Sequence, residues 1–301
     1  MRVLVTGATG FVGGRLVPAL LEAGHDVGVL VRDAGRYEPP ASGDDAVTVH
    51  EGDLLDPGSF DEALADVEAA YYLVHSMQAG SDFEERDRRA ARNFAAAASE
   101  AGIDRVVYLG GLGEAGDELS AHLQSRREVE HLLAEGEYDL TTLRAAIIVG
   151  HGSASFRMVR QLVRRLPVMV TPKWVGNECQ PIAIDDVLAY LVGVLDAPET
   201  AGETYEIGGP DVLTYGEMLQ RTAAAMGRRP PIILPVPVLS PRLSSYWVGL
   251  VTDVDPRVAR PLIDGLKNPV VVTDDSITDH VDVDLTPFET AVERALEAVD
   301  G

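Results

Sequence analysis

Residues 3–13 read Val3-Leu4-Val5-Thr6-Gly7-Ala8-Thr9-Gly10-Phe11-Val12-Gly13. A short apolar run ends at the first glycine, and beyond the third glycine Leu16, Leu20 and Leu21 recur at helical spacing. A strand, a tight turn and a helix therefore follow one another, which is the context that gives a glycine pattern meaning. Gly7 permits the turn, Gly10 lets backbone approach a pyrophosphate, and Gly13 lets the helix pack closely on the strand. Main-chain amides at the helix start, with the positive end of its dipole, complete a cradle for phosphate. Its residues are Gly7, Thr9, Gly10, Phe11, Val12 and Gly13. A purely structural turn is the plainer reading; the βαβ setting favours dinucleotide binding.

Outward from this turn, strand and helix alternate. Helical spacing covers 11–23, and β-rich runs follow at 27–31, 47–50, 70–74, 105–109 and 141–149. Helical stretches at 84–101 and 120–135 separate the later strands. This order predicts an α/β fold with a doubly wound parallel Rossmann sheet. After Gly150 the rhythm changes: helical stretches near 156–165, 185–196 and 215–226 alternate with short strands and proline-rich connectors at 230–231 and 235–241. We therefore expect a dinucleotide-binding domain over 1–150. A smaller C-terminal α/β substrate lobe over 151–301 would lie on the sheet's carboxyl edge and interleave with the first domain. The acidic stretch 33–45, with its prolines and glycines, reads as a surface loop.

Composition narrows the partners. The 301 residues are 46% hydrophobic and carry a formal charge of −23, enough apolar content for a sizeable core and too much negative charge for general binding to nucleic acid or anionic lipid. Lys173 and Lys267 are the only lysines, the other cations being arginines. Many carboxylates with almost no lysine resemble a halophilic protein of a salt-rich cytoplasm, where ions screen self-repulsion; an acidic protein from a GC-rich genome is the alternative. A single cysteine, Cys179, excludes an intramolecular disulfide and any cysteine-based zinc cluster. No apolar run reaches the ~18 residues of a membrane span, and the opening residues read as a strand rather than a leader. The expectation is a soluble cytoplasmic protein without a metal site.

The glycine spacing is GxxGxxG. Together with GHDVGVLVRD, EGDLLD, YYLVHS, PIAIDDV and YEIGGPDVLTYGEM, it resembles the extended and atypical short-chain dehydrogenase/reductases, above all their NmrA-like and nucleoside-diphosphate-sugar-epimerase-like members. The resemblance covers about residues 1–226 and is more specific for fold and cofactor than for reaction. It puts Val31 where an acidic residue would bind the ribose 2′-OH of NAD, with Arg32 next to it. Arg pairs with a 2′-phosphate, so NADP(H) is favoured over NAD(H); a solvated loop arginine is the competing reading. Asp53-Leu54 resembles the pair that touches adenine, although a turn-forming Asp fits too. Val74 and His75 follow the fourth strand where such proteins pass the cofactor's phosphates and nicotinamide ribose.

The family's acid–base pair is a Tyr with a Lys four residues later on one helical face. Here His122 stands at the Tyr position and Arg126 at the Lys position, and Leu109-Gly110-Gly111-Leu112-Gly113 supplies no serine. Arg126 can still hold ribose hydroxyls. His122 titrates in the useful range and is either a proton donor or an exposed residue of a first helical turn.

Among the remaining polar residues, His151, Ser153 and Ser155 line a ligand-facing edge or simply form a turn and cap. Asp185-Asp186 read as helix caps, and Cys179 as a buried small residue. Tyr246-Trp247, set among aliphatics, wall an apolar pocket, face a partner or belong to the core. As a pocket they imply a bulky apolar substrate such as an isoprenoid, quinone or aromatic carbonyl. Two functions remain: an NADP(H)-dependent oxidoreductase with an altered proton donor, and a catalytically silent NAD(P)H sensor or accessory subunit with a protein partner.

Overall fold

Side-chain alternation assigns the two faces of the central sheet. In the computed structural model, residues 1–40, 46–75, 83–113, 121–236 and 252–300 are described, apart from the side chains at 121–122, 256–257, 260–262 and 299–300. Strand β1 (Arg2–Thr6) sends Val3 and Val5 to one face and Leu4 to the other, the period of two that a strand imposes. Its neighbours are β2 (Asp26–Val31) and β4 (Ala69–Tyr72), with Val3 opposite Val27 and Val5 opposite Tyr71. With β3 (Val47–Glu51), β5 (Arg105–Gly111), β6 (Asp139–Ala145) and β7 (Thr204–Ile207), they form a seven-stranded sheet of order β7-β6-β5-β4-β1-β2-β3. Every pairing in it is parallel.

Parallel strands require crossovers, and helices cover both faces. On one face α1 (Gly13–Glu22) packs against α5 (Ile184–Asp196) over Val5, Val29, Tyr71 and Leu143. On the other, α2 (Phe83–Ala101) packs against α3 (Ala121–Leu133) over Leu4, Tyr72, Val106 and Tyr108. Ala90, Ala91, Phe94 and Ala98 form the buried stripe of α2, the spacing a helix needs to present one apolar side. The chain runs outward from β1 to β3, then returns to β4 and continues to β7. The carboxyl ends of β1 and β4 therefore form a topological switch point, where open α/β sheets bind ligands.

The smaller lobe contains α4 (Ala154–Arg165), α6 (Tyr215–Ala225), α7 (Pro256–Gly265) and α8 (Phe288–Asp300). It also holds a parallel ribbon of Val168–Pro172 and Ile232–Val236. A reciprocal cap starts α6: the Thr214 hydroxyl accepts from the Glu217 amide while the Glu217 carboxylate accepts from the Thr214 amide. The second half of the chain interleaves with the first, since α5 and β7 return to the central sheet.

Three local readings need correction. The apolar run 141–149 is not one strand: β6 ends at Ala145, and Ile148–Val149 pairs with Ile182–Ala183 instead. An apolar run reports burial and not the partner. Pro235 lies inside a strand, tolerated because among the described residues the ribbon has two members and no ladder on its outer side. Asp185 and Asp186 do not cap α5, whose N-cap is Ala183. Asp186 is buried and accepts from both the amide and the hydroxyl of Thr286 at 2.8 Å, while Asp185 pairs with Arg294 at 3.0 Å. They fasten the C-terminal segment.

Candidate functional site

The glycine turn meets steric demands that glycine alone satisfies. Gly7 has φ +73°, and a Cβ there would lie 2.7 Å from the Leu73 carbonyl oxygen. At Gly13 a Cβ would sit 2.3 Å from the Gly7 oxygen, so helix α1 can approach β1 only without one. The Thr6 hydroxyl donates to the Tyr71 carbonyl and accepts from the Leu73 amide, locking the ends of β1 and β4 together. Val12, at the N-cap of α1, supplies no side-chain cap, and the Gly14 and Arg15 amides donate to the Gly10 and Val12 carbonyls at 2.9 and 3.0 Å. These features fit a pyrophosphate.

Arg15 ties this turn to the smaller lobe. Its guanidinium lies 4.7 Å from the centre of the Phe11 ring and donates to the carbonyls of Phe11 (2.8 Å) and His151 (2.7 Å). Beyond it, the Ser153 hydroxyl accepts from the Phe156 amide and donates to the Ile148 carbonyl, a turn-and-cap role. Ser155 lines the cleft; His151 does not.

A continuous cleft of about 1600 Å³ runs from the glycine turn across the carboxyl edge into the smaller lobe. That exceeds the ~300–1,000 Å³ of a drug-sized pocket, leaving space for a second molecule beside a dinucleotide. Gly7, Thr9, Gly10, Phe11, Val12, Gly13, Arg32, Asp53, Leu54, Val74, His75 and Arg126 all line it. The fold thus brings together every cofactor-facing residue expected from the sequence. Of the expected catalytic pair, His122 belongs to the first turn of α3 and its side chain lies outside the described residues, as do Ser76, Met77, Tyr246 and Trp247.

At the adenosine end, Val31 is buried and Arg32 is exposed at the lip of the cleft. Asp33 turns away and accepts from the Gly35 amide at 3.1 Å, opening a short helical turn. Asp53 accepts from the Leu55 amide at 2.9 Å, which confirms its turn geometry while leaving it on the cleft wall.

At the other end, Arg126 donates to the Leu109 carbonyl and lies 5.2 Å from the centre of the Tyr108 ring. A Cβ on Gly111 would meet Leu123 Cδ2 at 3.0 Å, a tight approach to the tip of one side chain of α3. Tyr71, Tyr72 and Tyr108 are buried behind the cleft. Burial pushes the Tyr108 phenol up to about 12. Among the described residues, Tyr215 is the one tyrosine on the cleft wall, and it stands in the smaller lobe.

Two features escaped the sequence. Arg86 of α2 reaches the cleft, and its buried Nε has no hydrogen-bond partner among the described residues. Its one signal was spacing, since it lies one helical turn before Ala90, a second lining residue. The other is an apolar arm walled by Met158, Leu162, Met169, Val175, Met218 and Leu219, drawn from α4, the ribbon, the following turn and α6. Cys179 is fully buried near Met218, and burial raises its thiol to about 12. Among the described residues, no group of acidic, His and Cys side chains is arranged to hold a metal ion. No helix there is long and apolar enough to cross a membrane.

Residues 7–161 match the family profile described as NAD(P)H-binding. A mitochondrial NADH dehydrogenase [ubiquinone] 1 alpha subcomplex subunit 9 of Arabidopsis thaliana is 26% identical over 298 residues, covering 95% of this chain and 74% of that protein. A ceramide reductase of Caulobacter vibrioides is 29% identical over 238 residues, covering 78% and 74%. The Citrobacter sp. triphenylmethane reductase complexed with NADP(H) superposes with a TM-score of 0.76 at 20% identity, covering 98% of this chain and 100% of that one. The structural likeness establishes the Rossmann-type fold.

Proposed function

The chain belongs to the NAD(P)H-binding family, and from that premise we propose an NADP(H)-dependent reductase of bulky apolar carbonyl- or quinone-type substrates. The observation that carries this reading is the single cavity joining the glycine cradle to the apolar arm. Gly7, Thr9, Gly10, Phe11, Val12 and Gly13 hold the pyrophosphate on main-chain amides. Arg32 meets the 2′-phosphate, Asp53 and Leu54 flank adenine, and Val74, His75 and Arg126 border the nicotinamide ribose. When bound, a reduced nicotinamide coenzyme supplies hydride.

Charge supports the phosphorylated coenzyme. Among the described residues the cleft is lined by Arg32, Arg86, Arg126 and Arg157 against Asp53 and Asp255, in a chain of formal charge −23. A local excess of cations draws a polyanion into this wall despite the surrounding field. The acidic surface also supports a working environment of concentrated salt in the cytoplasm.

A second reading, an NAD(P)H-binding sensor or accessory subunit, is favoured by the lack of a serine in Leu109–Gly113 and by the likeness to a respiratory-chain subunit. Calorimetry with NADPH and NADH in concentrated KCl, followed by NADPH oxidation against decanal, decan-2-one, menadione and 4-phenylbutan-2-one, separates the readings. The reductase requires NADPH binding and turnover of at least one probe. Binding without turnover supports the accessory role, and no heat with either coenzyme overturns both.

A further inference from the structure

Two stretches of this acidic chain carry no acidic side chain. Asp and Glu, 48 in the whole sequence, are missing from residues 140–177 and 218–252, which hold ten of the 25 cations. The fold brings these stretches together: α4 packs on α6, and Val168–Pro172 pairs with Ile232–Val236 in the ribbon. The strand period then splits the ribbon's side chains between two faces. Met169 and Ile233 turn inward onto Val163, Leu219 and Ala223. Val168, Val170, Ile232 and Leu234 turn outward and are between 47% and 59% exposed, with Ile232 opposite Val168 and Leu234 opposite Val170. Among the described residues they are four of the seven exposed large apolar side chains, and Met1, Val49 and Val212 are single positions elsewhere. Scattered exposure is ordinary, whereas a contiguous apolar face marks an interaction site.

Because the two strands are parallel, the residues that precede them lie at one end of the ribbon. There Arg164 and Arg165 close α4, and Arg228 and Arg229 follow α6. All four are exposed, and the Arg228 guanidinium donates to the Arg164 carbonyl at 2.9 Å, joining the two pairs. Arg165 pairs with Asp253 at 3.0 Å, while Arg164, Arg228 and Arg229 have no carboxylate partner among the described residues. Cations past a helix C-terminus complement its dipole, which accounts for the arginines but not for the apolar face beside them.

We propose that the ribbon is a docking surface for an anionic lipid bilayer. The apolar face enters the headgroup boundary, and Arg164, Arg228 and Arg229 meet lipid phosphates. Arginine suits such a border, since its stem lies along apolar surface while its guanidinium binds phosphate. A second copy offers no such complement: a two-fold contact would press one acid-free cationic face on another. The formal charge of −23 repels the remaining surface from anionic lipid, so attachment through the ribbon is oriented. Val168 and Val170 also line the cleft, so a docked bilayer borders it. Docking goes beyond the reductase reading and stands whether or not the cleft turns over a substrate.

Flotation of the full chain with liposomes tests this, at the lowest KCl concentration that preserves its circular dichroism. Wild type should bind vesicles of phosphatidylcholine with about 30% phosphatidylglycerol about tenfold more tightly than phosphatidylcholine alone. Ile232→Thr combined with Leu234→Thr keeps β-propensity and should weaken that binding about tenfold. Arg228→Gln combined with Arg229→Gln should remove most of the preference for phosphatidylglycerol. Both double variants should keep the wild-type melting temperature, because the substituted side chains are exposed. A wild type that floats with neither vesicle, or whose binding is untouched by the Ile232 and Leu234 substitutions, overturns the proposal. So does a wild-type dimer in light scattering that dissociates in the Ile232 and Leu234 variant, which assigns the face to a second copy.

Discussion

Gly13 and Arg32 illustrate how differently single positions act. At Gly13 the constraint is backbone: an added methyl meets the Gly7 carbonyl oxygen at 2.3 Å and forces α1 away from β1. Gly13→Ala should cost about 1–3 kcal/mol, read as a fall in denaturant midpoint, and weaken NADPH at least tenfold in calorimetry. At Arg32 the constraint is charge. The side chain is exposed and its neighbour Asp33 is engaged by the Gly35 amide, so removing it disturbs no packing. Arg32→Ala should weaken NADPH by about 1–3 kcal/mol and leave NADH within about twofold. Equal losses for both coenzymes would show that Arg32 does not read the 2′-phosphate. Glycines at 7, 10 and 13 were legible because a strand, a turn and a helix constrain them within eleven residues. The Asp87 partner of His75 was not, because it comes from a separate helix.

Elements set the shape of the site. Helix α3 brings Arg126 onto the cleft wall, where it donates to the Leu109 carbonyl, and sets Leu123 close to Gly111. Helix α6 lines the apolar arm through Met218 and Leu219, the two positions that follow its capped first turn. Filling the arm from this helix should divide the two ligands. Leu219→Trp is expected to raise the KM for decan-2-one about tenfold or more, while NADPH affinity stays within about twofold, at a packing cost of about 1–3 kcal/mol. Loss of NADPH affinity to the same degree would mean that the arm and the cradle are not independent. The sequence showed α6 and its helical spacing, but not that its buried face borders a cavity rather than solid core. Spacing identifies the buried side of a helix and is silent about what fills the space opposite.

Across the whole molecule, net charge and half-buried histidines govern the response to solution conditions. With a formal charge of −23, self-repulsion opposes compaction, and screening relieves it. Raising KCl from dilute to concentrated should therefore raise the melting temperature; an invariant Tm would remove the halophilic reading. His25 and His75 both have pKa values lowered by burial. Their unfolded forms bind protons more readily, so these groups favour the native state above pH ~6.5. That contribution is lost as pH falls from there toward the folded pKa values. A melting temperature that declines over this window, with a shallower slope in His25→Asn, is the expected result. An unchanged slope in that variant would mean that His25 does not contribute.

By itself, the sequence determined the βαβ start, the glycine cradle and the alternation that gives a parallel sheet, because turn geometry and side-chain period are local properties. It also indicated an altered catalytic set, through the residues at 122 and 126 and the glycines after β5. Tertiary structure decided where the run 141–149 divides, that Asp186 anchors Thr286 rather than capping a helix, and that His75 meets Asp87 beside the cradle. It also decided that α4, α6 and the ribbon enclose one apolar arm continuous with the cofactor side. These outcomes depend on elements far apart in the chain being packed together, and the energy of such packing is a property of the assembled surfaces, which no single stretch of residues contains.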